Sequence, residues 1–562
     1  MTESVFEKIG DRNPQFVREV KGRLKRLPIL LTVFLSLLMQ TLVYINNQRF
    51  DDSLKENVSN WGGIVNSINL LFVFSLLVCG TYQIINDISR EESRGTLNFI
   101  RLSPQSEVSI LIGKILGVPI LLYLFIAFAI PFHLVSEICA GIPFGNILGF
   151  YIILGSCCAL VFSGATLISL MAQNIPSNSQ GFLAWLASAI VLNLLIFSYS
   201  ISNVSDYGIS LNHAFAWLLM FSPFAIENYL MADLSNNMAA IELKNLQFFQ
   251  IPVGLNIITV MSIYLANYAF WIFSIWQIIK RIFRNQKSTW FSKNYSYFFV
   301  VGIQILLWGF TLQNQNIESK FDVSKISYQI EQNISYFLLL NLILIYSLMR
   351  ILSPQRQDIL DWSRYRRLNR QHNQDRKNHL LEDLFLGEKS PSQLAIAVNL
   401  LLIIVPFLAW IILSPSFAVE TINSFLLNIL LWKVSNVNSL HLLLGIGCFF
   451  VLTIIYATIY QRLALLPVSQ PFSWAMASIL LLNIIPAWIL MMMKIYPSQN
   501  PIPWLFSTFP WLGFSASIPI ILVAFLSEIM VLVVCNLQFM RWSERVGNST
   551  TKELFTVQHQ GN

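Results

Sequence analysis

Long apolar runs separated by short polar connections make up most of this chain. A helix needs about 20 apolar residues to cross a bilayer, and twelve runs approach or exceed that length. They lie near 27–46, 64–86, 111–136, 146–172, 182–202, 252–279, 297–313, 332–352, 394–414, 441–460, 474–494 and 509–537. The pattern predicts an all-α, polytopic integral membrane protein with about twelve transmembrane helices in two six-helix halves.

The polar segments divide the chain into three parts. Residues 1–26 precede the first apolar run, 27–290 hold the first six runs, and 291–562 hold the other six. The second half has a basic connection, 353–393, between its second and third runs. That connection would bind anionic lipid or an acidic partner surface, or serve as a plain positively charged loop on the cytoplasmic side.

Two dipeptides recur at equal spacing in the halves. Ser103-Pro104 precedes Val118-Pro119, and Ser390-Pro391 precedes Val405-Pro406. This spacing predicts that the second half is a degenerate copy of the first, with chance recurrence as the alternative.

Composition and charge agree with a membrane protein. Hydrophobic residues are 55% and charged residues 12% of the chain, about half the charged share of a soluble domain. Of the 36 Lys and Arg residues, 29 fall in segments that are cytoplasmic if both termini are inside. Because basic residues concentrate in cytoplasmic loops, we expect a multi-pass cell-membrane protein with both termini cytoplasmic. The net charge of +7 therefore does not indicate nucleic acid.

The polar connection after the second run has a distinctive residue order. Its distinctive residues are Arg90, Glu91, Glu92, Arg94, Gly95, Thr96, Leu97, Ser103 and Pro104, with Gly113 and Lys114 opening the next run. They predict a short surface helix between two membrane segments, although any polytopic protein has polar connections. The order Glu-Glu-Ser-Arg-Gly-Thr-Leu, then Leu-Ser-Pro, then Gly-Lys resembles the cytoplasmic coupling loop of the type-2 membrane domain of ABC transporters. The resemblance implies that these residues couple the chain to an ATPase subunit, with charges such as Glu91 and Glu92 meeting a complementary surface of that partner.

The segment before the first run is basic and amphipathic. Its polar and charged residues include Asn13, Pro14, Arg18, Glu19 and Arg23, with apolar residues at helical spacing between them. These features predict a helix on the cytoplasmic membrane surface, or a simple positive anchor. The order also resembles the amino-terminal interface helix of the same permease family. The resemblance is clear over about 1–290 and degenerate over 291–562.

Residues 217–224 are too short and too interrupted by proline to cross a membrane. They resemble the family's re-entrant outer segment, and an interfacial helix anchored by Trp217 fits nearly as well.

Motifs of soluble chemistry are missing from the sequence. There is no G-x-x-x-x-G-K-[ST] phosphate-binding loop, no metalloprotease or serine-hydrolase motif, and no clustered His or Cys ligands. We therefore predict no catalytic residues, no metal site and no cofactor, and the chain is not expected to be an enzyme. Two intramembrane candidates remain: Glu528 in the last run, and the pair His133 and Glu137 one turn apart in the third.

The resemblance implies a membrane-spanning permease subunit of an ABC transporter, an exporter by family, driven by a separate ATPase subunit. Its partners would be that ATPase, the lipid bilayer and a second permease copy if the two halves do not serve as a pair, with no nucleic acid. The alternatives are a proton-coupled secondary transporter that uses Glu528 and a membrane scaffold without transport activity.

Overall fold

The computed structural model is an all-α, polytopic membrane protein. It describes residues 13–51, 56–172, 177–203, 216–231, 243–244, 246–249, 251–285, 288–312, 323–372, 379–413, 439–468, 470–497, 499–507, 510–513 and 516–546. Part of the amino-terminal segment 1–26 and part of the basic connection 353–393 lie outside these residues.

The chain forms two compact units, 1–286 with 312–314 and 287–311 with 315–562. The helices of unit 1 are α1 Pro14–Arg23, α2 Arg26–Asn46, α3 Trp61–Ser93, α4 Thr96–Arg101, α5 Glu107–Gly117, α6 Ile120–Cys139, α7 Phe144–Met171, α8 Ser177–Asn203, α9 Ala216–Leu219, α10 Phe224–Leu230 and α11 Ile257–Arg284. Its strands pair antiparallel in two ribbons: β1 Gln48–Asp51 with β2 Glu56–Ser59, and β3 Gln247–Phe248 with β4 Ile251–Pro252.

Unit 2 repeats the order of unit 1. Its helices are α12 Lys293–Thr311, α13 Val323–Leu352, α14 Arg356–His372, α15 His379–Leu386, α16 Gln393–Leu413, α17 Ser439–Ala464, α18 Pro471–Met492, α19 Ile502–Leu505 and α20 Ile518–Val546, with a 3₁₀ turn at Pro510–Gly513. In each unit two long helices precede a connection with two shorter helices, and three long helices, a short segment and a last long helix follow. The last helix packs on the same partner in both units: α11 on α7, and α20 on α17.

Within the described residues, ten helices are long and apolar enough to cross a membrane. An eleventh is reached if the bent pair Tyr336–Leu352 and Arg356–Tyr365, which meet at 64°, counts as one span. The expected run at 297–313 is helical as α12 but falls outside this set. The predicted number of twelve spans is therefore not confirmed.

The third predicted span, 111–136, begins too early. Residues up to Gly117 belong to the separate helix α5, and the spanning helix α6 begins at Ile120. Pro119 has no N–H to donate to the helix ladder, so a break here follows from its chemistry. In unit 2, Pro406 lies inside α16 instead.

The segment 217–224 packs inside unit 1. The indole Nε1 of Trp217 donates to Asn267 Oδ1 at 2.9 Å, and its ring stacks on Trp271. Trp217 is buried. This position favours the re-entrant interpretation over an interfacial anchor, whose indole would lie at the surface.

Candidate functional site

The predicted surface helix forms as α4, between α3 and α5. Helix α3 ends at Ser93, and Gly95 follows with φ 72°, a left-handed conformation that glycine adopts without a steric penalty. The Thr96 hydroxyl donates to the Glu91 carbonyl at 3.0 Å, which closes the turn. A second turn leads through Ser103 and Pro104 to α5, so the connection has a defined backbone path.

One side of α4 is fixed to its own unit. Leu97 and Ile100 are buried. The Arg101 guanidinium lies over the Phe283 ring, 5.4 Å from its centroid, and 3.6 Å from the Glu92 carboxylate. Burial lowers the pKa of Arg101, and the charge of Glu92 acts in the opposite direction. These contacts hold α4 against the end of α11.

The other side of α4 is open to solvent and apolar. Phe99 is 80% exposed and Leu102 is 85% exposed, and the exposed side chains of Arg90 and Arg94 lie on the neighbouring turns. We call these four residues the α4 surface. Two large apolar side chains held in water beside two cations are typical of a contact surface for another protein.

Lys114 does not lie at the surface. It is 0% exposed, and its Nζ is 2.7 Å from Asp87 Oδ2, 2.7 Å from Glu91 Oε2 and 3.5 Å from Glu19 Oε1. Burial alone would lower the pKa of Lys114, but the three carboxylates outweigh burial and raise the pKa above its ordinary value. Lys114 is therefore a buried ammonium ion at the centre of three helices, α1, α3 and α5.

Two arginines of α1 complete this ionic network. Arg18 pairs with Glu91 and Glu19, and Arg23 pairs with Asp87 and Glu19. Three carboxylates thus face three cations, so the network is neutral as a whole. The carboxylate oxygens lie within 4.8 Å of one another, as in a metal site, but the Lys114 ammonium occupies the cation position among them.

Helix α1 lies directly on α5. Asn13 caps α1 by accepting from the Phe16 N–H at 3.0 Å, Pro14 takes the first helical position, and the Asn13 amide also donates to the Ser109 carbonyl at 2.7 Å. A β-carbon on Gly113 would lie 2.6 Å from Asn13 Oδ1, and one on Gly117 would lie 2.6 Å from Glu19 Cβ. The two glycines therefore permit the close approach of the helices.

The structure brings the two predicted segments together, which the sequence did not suggest. From the resemblance, Glu91 and Glu92 are expected to meet a partner, whereas both side chains are largely buried in ion pairs within unit 1. Asp87 was not among the predicted residues, although it lies one helical turn before Glu91 and so shares its face. Arg101 was missed as well, and its spacing from Glu92 gives no comparable signal.

Glu528 lies on α20 and is buried beside Cys448 of α17. It belongs to unit 2, whereas the ionic network and the α4 surface belong to unit 1. The structure gives Glu528 no place in that network.

The equivalent connection of unit 2 is held by a different cation. Lys293 is buried, and its Nζ donates to the Leu384 carbonyl at 2.8 Å, Ser390 Oγ at 2.6 Å and the Pro391 carbonyl at 2.9 Å. Burial lowers the pKa of Lys293 to about 8, against the raising effect of Asp383. Neutral oxygens thus hold this ammonium, in place of the carboxylates around Lys114.

Replacing Lys293 by Met is expected to loosen this connection. The two carbonyls lose a buried donor, at a cost of about 1–3 kcal/mol. Between about pH 8 and 10.5 the unfolded wild-type chain holds a proton that the folded chain lacks, so its stability rises over this window. That rise should be absent in the variant. Limited chymotrypsin digestion within 356–392 measures the loosening, since neither variant removes a site of this protease. Lys389→Met, whose side chain is 60% exposed, is the control. Equal digestion of both variants would contradict the anchoring role.

Comparison with known proteins finds no matching family model, no matching curated protein and no matching solved structure.

Proposed function

We propose that this chain is the membrane-spanning permease subunit of an ABC transporter, an exporter, and that α4 docks on a separate ATPase subunit. The observation that supports this most directly is the α4 surface. Phe99 and Leu102 stand in solvent on a short helix whose opposite side is fixed by Leu97, Ile100 and Arg101. A surface that is apolar, cationic and rigid loses little entropy on binding, which favours a specific protein partner.

The ionic network explains how a force on α4 would reach the membrane helices. Lys114 joins α5 to α3 and α1, and α5 leads into the spanning helix α6 after Pro119. A push on α4 would therefore move α3 and α5 together. Helix α3 has a π-helical turn at Ser75–Cys79, a feature common at functional sites, which offers a place where this motion bends the span.

The membrane orientation belongs to the same proposal. The α4 connection would lie in the cytoplasm with both termini, in the cell membrane, because the basic residues concentrate there. The equivalent connection of unit 2, 353–393, would face a second ATPase or anionic lipid. One chain would then supply both membrane halves of the transporter, since the two units have the same order of helices.

The test is the double substitution Phe99→Ser with Leu102→Ser. Removing two buried anchors from an interface costs about 2 kcal/mol or more, which is about thirtyfold in affinity. We expect co-purification of the ATPase subunit and ATP-dependent transport to fall together, with the abundance and melting temperature of the chain unchanged. The measurements are the ATPase-to-permease ratio after purification and transport into inverted vesicles.

The matched control is Phe144→Ser with Leu255→Ser. These residues are 73% and 75% exposed and lie at the other end of unit 1. The two control substitutions remove a similar amount of exposed apolar surface, and neither residue belongs to α4. The proposal fails if the α4 variant retains full ATPase binding and transport, or if both double variants lose them equally.

A further inference from the structure

A second group of buried polar side chains lies about 27 Å from the ionic network, since the 18 residues from Asn69 to Asp87 of α3 rise about 1.5 Å each. The group comprises Asn69 of α3, His133 and Glu137 of α6, Tyr151 of α7 and Glu227 of α10. His133 Nδ1 is 2.7 Å from the Tyr151 hydroxyl and 3.6 Å from Glu137 Oε2.

These side chains have lost water without gaining full partners. Asn69, His133 and Glu137 are 0% exposed, and Glu227 is 4% exposed. Both oxygens of Glu137, Oε2 of Glu227, Nε2 of His133 and Oδ1 of Asn69 have no hydrogen-bond partner in the described part of the chain. A buried polar atom without a partner costs about 1–3 kcal/mol, so five such atoms in one place indicate a ligand of some kind.

The charges define that ligand as positive. His133 lies beside Glu137 and is itself in contact with Phe72 of α3 and with Phe150 and Tyr151 of α7, while Asn69 bonds to Glu227. Within the described residues neither carboxyl forms an ion pair with a Lys or Arg. Burial raises the pKa of Glu227 to about 8, a hydrogen bond from Asn69 lowers it, and the charge of Glu137 raises it further. Two ionised carboxylates at this depth would have no counter-charge, which is strongly unfavourable.

The spacing favours protons over a metal ion. In the described residues, three ligand atoms come within 4.8 Å of one another at Glu19, Asp87 and Glu91, but not among His133, Glu137 and Glu227. One ion therefore does not reach all three of the latter side chains, whereas a proton needs only one carboxyl oxygen.

We propose that Glu137 and Glu227, with His133, Asn69 and Tyr151, form a buried proton-binding site in unit 1. The carboxyls hold their protons while this end of the unit is closed, as in the structure. They release them to water when it opens, because hydration stabilises the carboxylates. Opening of unit 1 is thereby linked to proton release. The site rests on its own geometry and does not depend on an ATPase partner.

The direct test is infrared spectroscopy of the full chain in lipid nanodiscs, without an ATPase, at pH 7. The C=O stretching band of protonated carboxyl groups should lose intensity in Glu137→Gln and Glu227→Gln. Glu107→Gln is the control, because Glu107 lies outside the site and forms an ion pair with Arg284. An unchanged band in both site variants would overturn the proposal, and so would metal analysis showing a stoichiometric ion that either variant loses.

A second measurement uses the melting temperature between pH 5 and 9. The pKa of Glu227 is raised from its ordinary 4.5 to about 8, so the folded chain holds a proton that the unfolded chain lacks between these values. The contribution of Glu227 to the free energy of unfolding is therefore fully present below about pH 4.5 and is lost as the pH rises through about 8. Glu227→Gln, which keeps the shape of the protonated acid, should remove this decline, so its advantage over wild type should grow with pH. A constant difference between the two would refute the titration of Glu227 in this window.

Discussion

Lys114→Met is expected to destabilise unit 1 by about 3–5 kcal/mol, the usual cost of leaving a buried charge without its partner. The variant keeps most of the side-chain volume but leaves Glu19, Asp87 and Glu91 around an apolar group. Mutual repulsion of the three carboxylates should then release α1 from α5. The measurement is the melting temperature in detergent together with the rate of chymotrypsin cleavage after Phe16 of α1, a site that no variant here removes.

The control for this variant is Lys21→Met, which removes an exposed lysine of α1. It should leave both the melting temperature and the cleavage rate unchanged. A stronger check adds Glu91→Gln to Lys114→Met, which removes one of the repelling charges and should recover part of the loss. Equal melting temperatures of Lys114→Met and Lys21→Met would show that Lys114 does not bind the three helices together.

The ion pair between Lys114 and Glu91 also changes how a charge reversal at Glu91 of α3 should be interpreted. From sequence, Glu91 is a surface residue whose change to Lys disturbs only a partner. In the structure, a lysine at 91 would face the buried Lys114 ammonium at the position of a 2.7 Å ion pair. Glu91→Lys would therefore disrupt the ionic network within unit 1, so a loss of docking could not be assigned to the partner contact. Phe99 and Leu102 are the better probes of the partner surface.

The fold class was predictable because apolar runs of membrane length leave few alternatives. The number of spans was not predictable. Helix α12 falls outside the set of helices that are long and apolar enough to cross a membrane, and Tyr336–Leu352 meets Arg356–Tyr365 at a bend of 64°. Hydropathy reports the length and polarity of a run and does not report bending. Pro119 is a partial exception, because proline signals a break in the helix ladder.

The candidate site was predictable as two local segments but not as one network. The pairing of Arg18 with Glu91 spans 73 positions in the sequence, and no local periodicity carries such a contact. The same limit applies to the proposed proton-binding site of unit 1. His133 and Glu137 are one turn apart and were visible as a pair, whereas Glu227 comes from a different helix 90 residues later. Partial burial of α4 was also missed, because a six-residue helix is too short for its apolar pattern to define a buried face.

Gly113→Ala is expected to separate α1 from α5 by steric overlap alone. The added β-carbon would lie 2.6 Å from Asn13 Oδ1 and 2.9 Å from the backbone nitrogen of Phe16, and the second contact is with backbone that a rotamer change does not relieve. Such overpacking costs about 1–3 kcal/mol. It is opposed by the gain of about 1 kcal/mol that alanine brings over glycine inside a helix. We expect a net loss of stability, faster trypsin cleavage of α1, and weaker pairing of Arg18 with Glu91.

The control for Gly113→Ala is an alanine substitution that should raise stability and not lower it. Gly155 lies inside α7, and a β-carbon added there would have no described atom within 4 Å, so Gly155→Ala should stabilise the chain through helix propensity alone. The difference in melting temperature between the two alanine variants isolates the contact with α1 from the intrinsic preference of the helix. Gly117→Ala should behave like Gly113→Ala, because its β-carbon would lie 2.6 Å from Glu19 Cβ. If alanine at 113 and at 117 stabilises the protein as it does at 155, then α1 does not lie on α5, and the ionic network around Lys114 loses the helix that supplies Glu19.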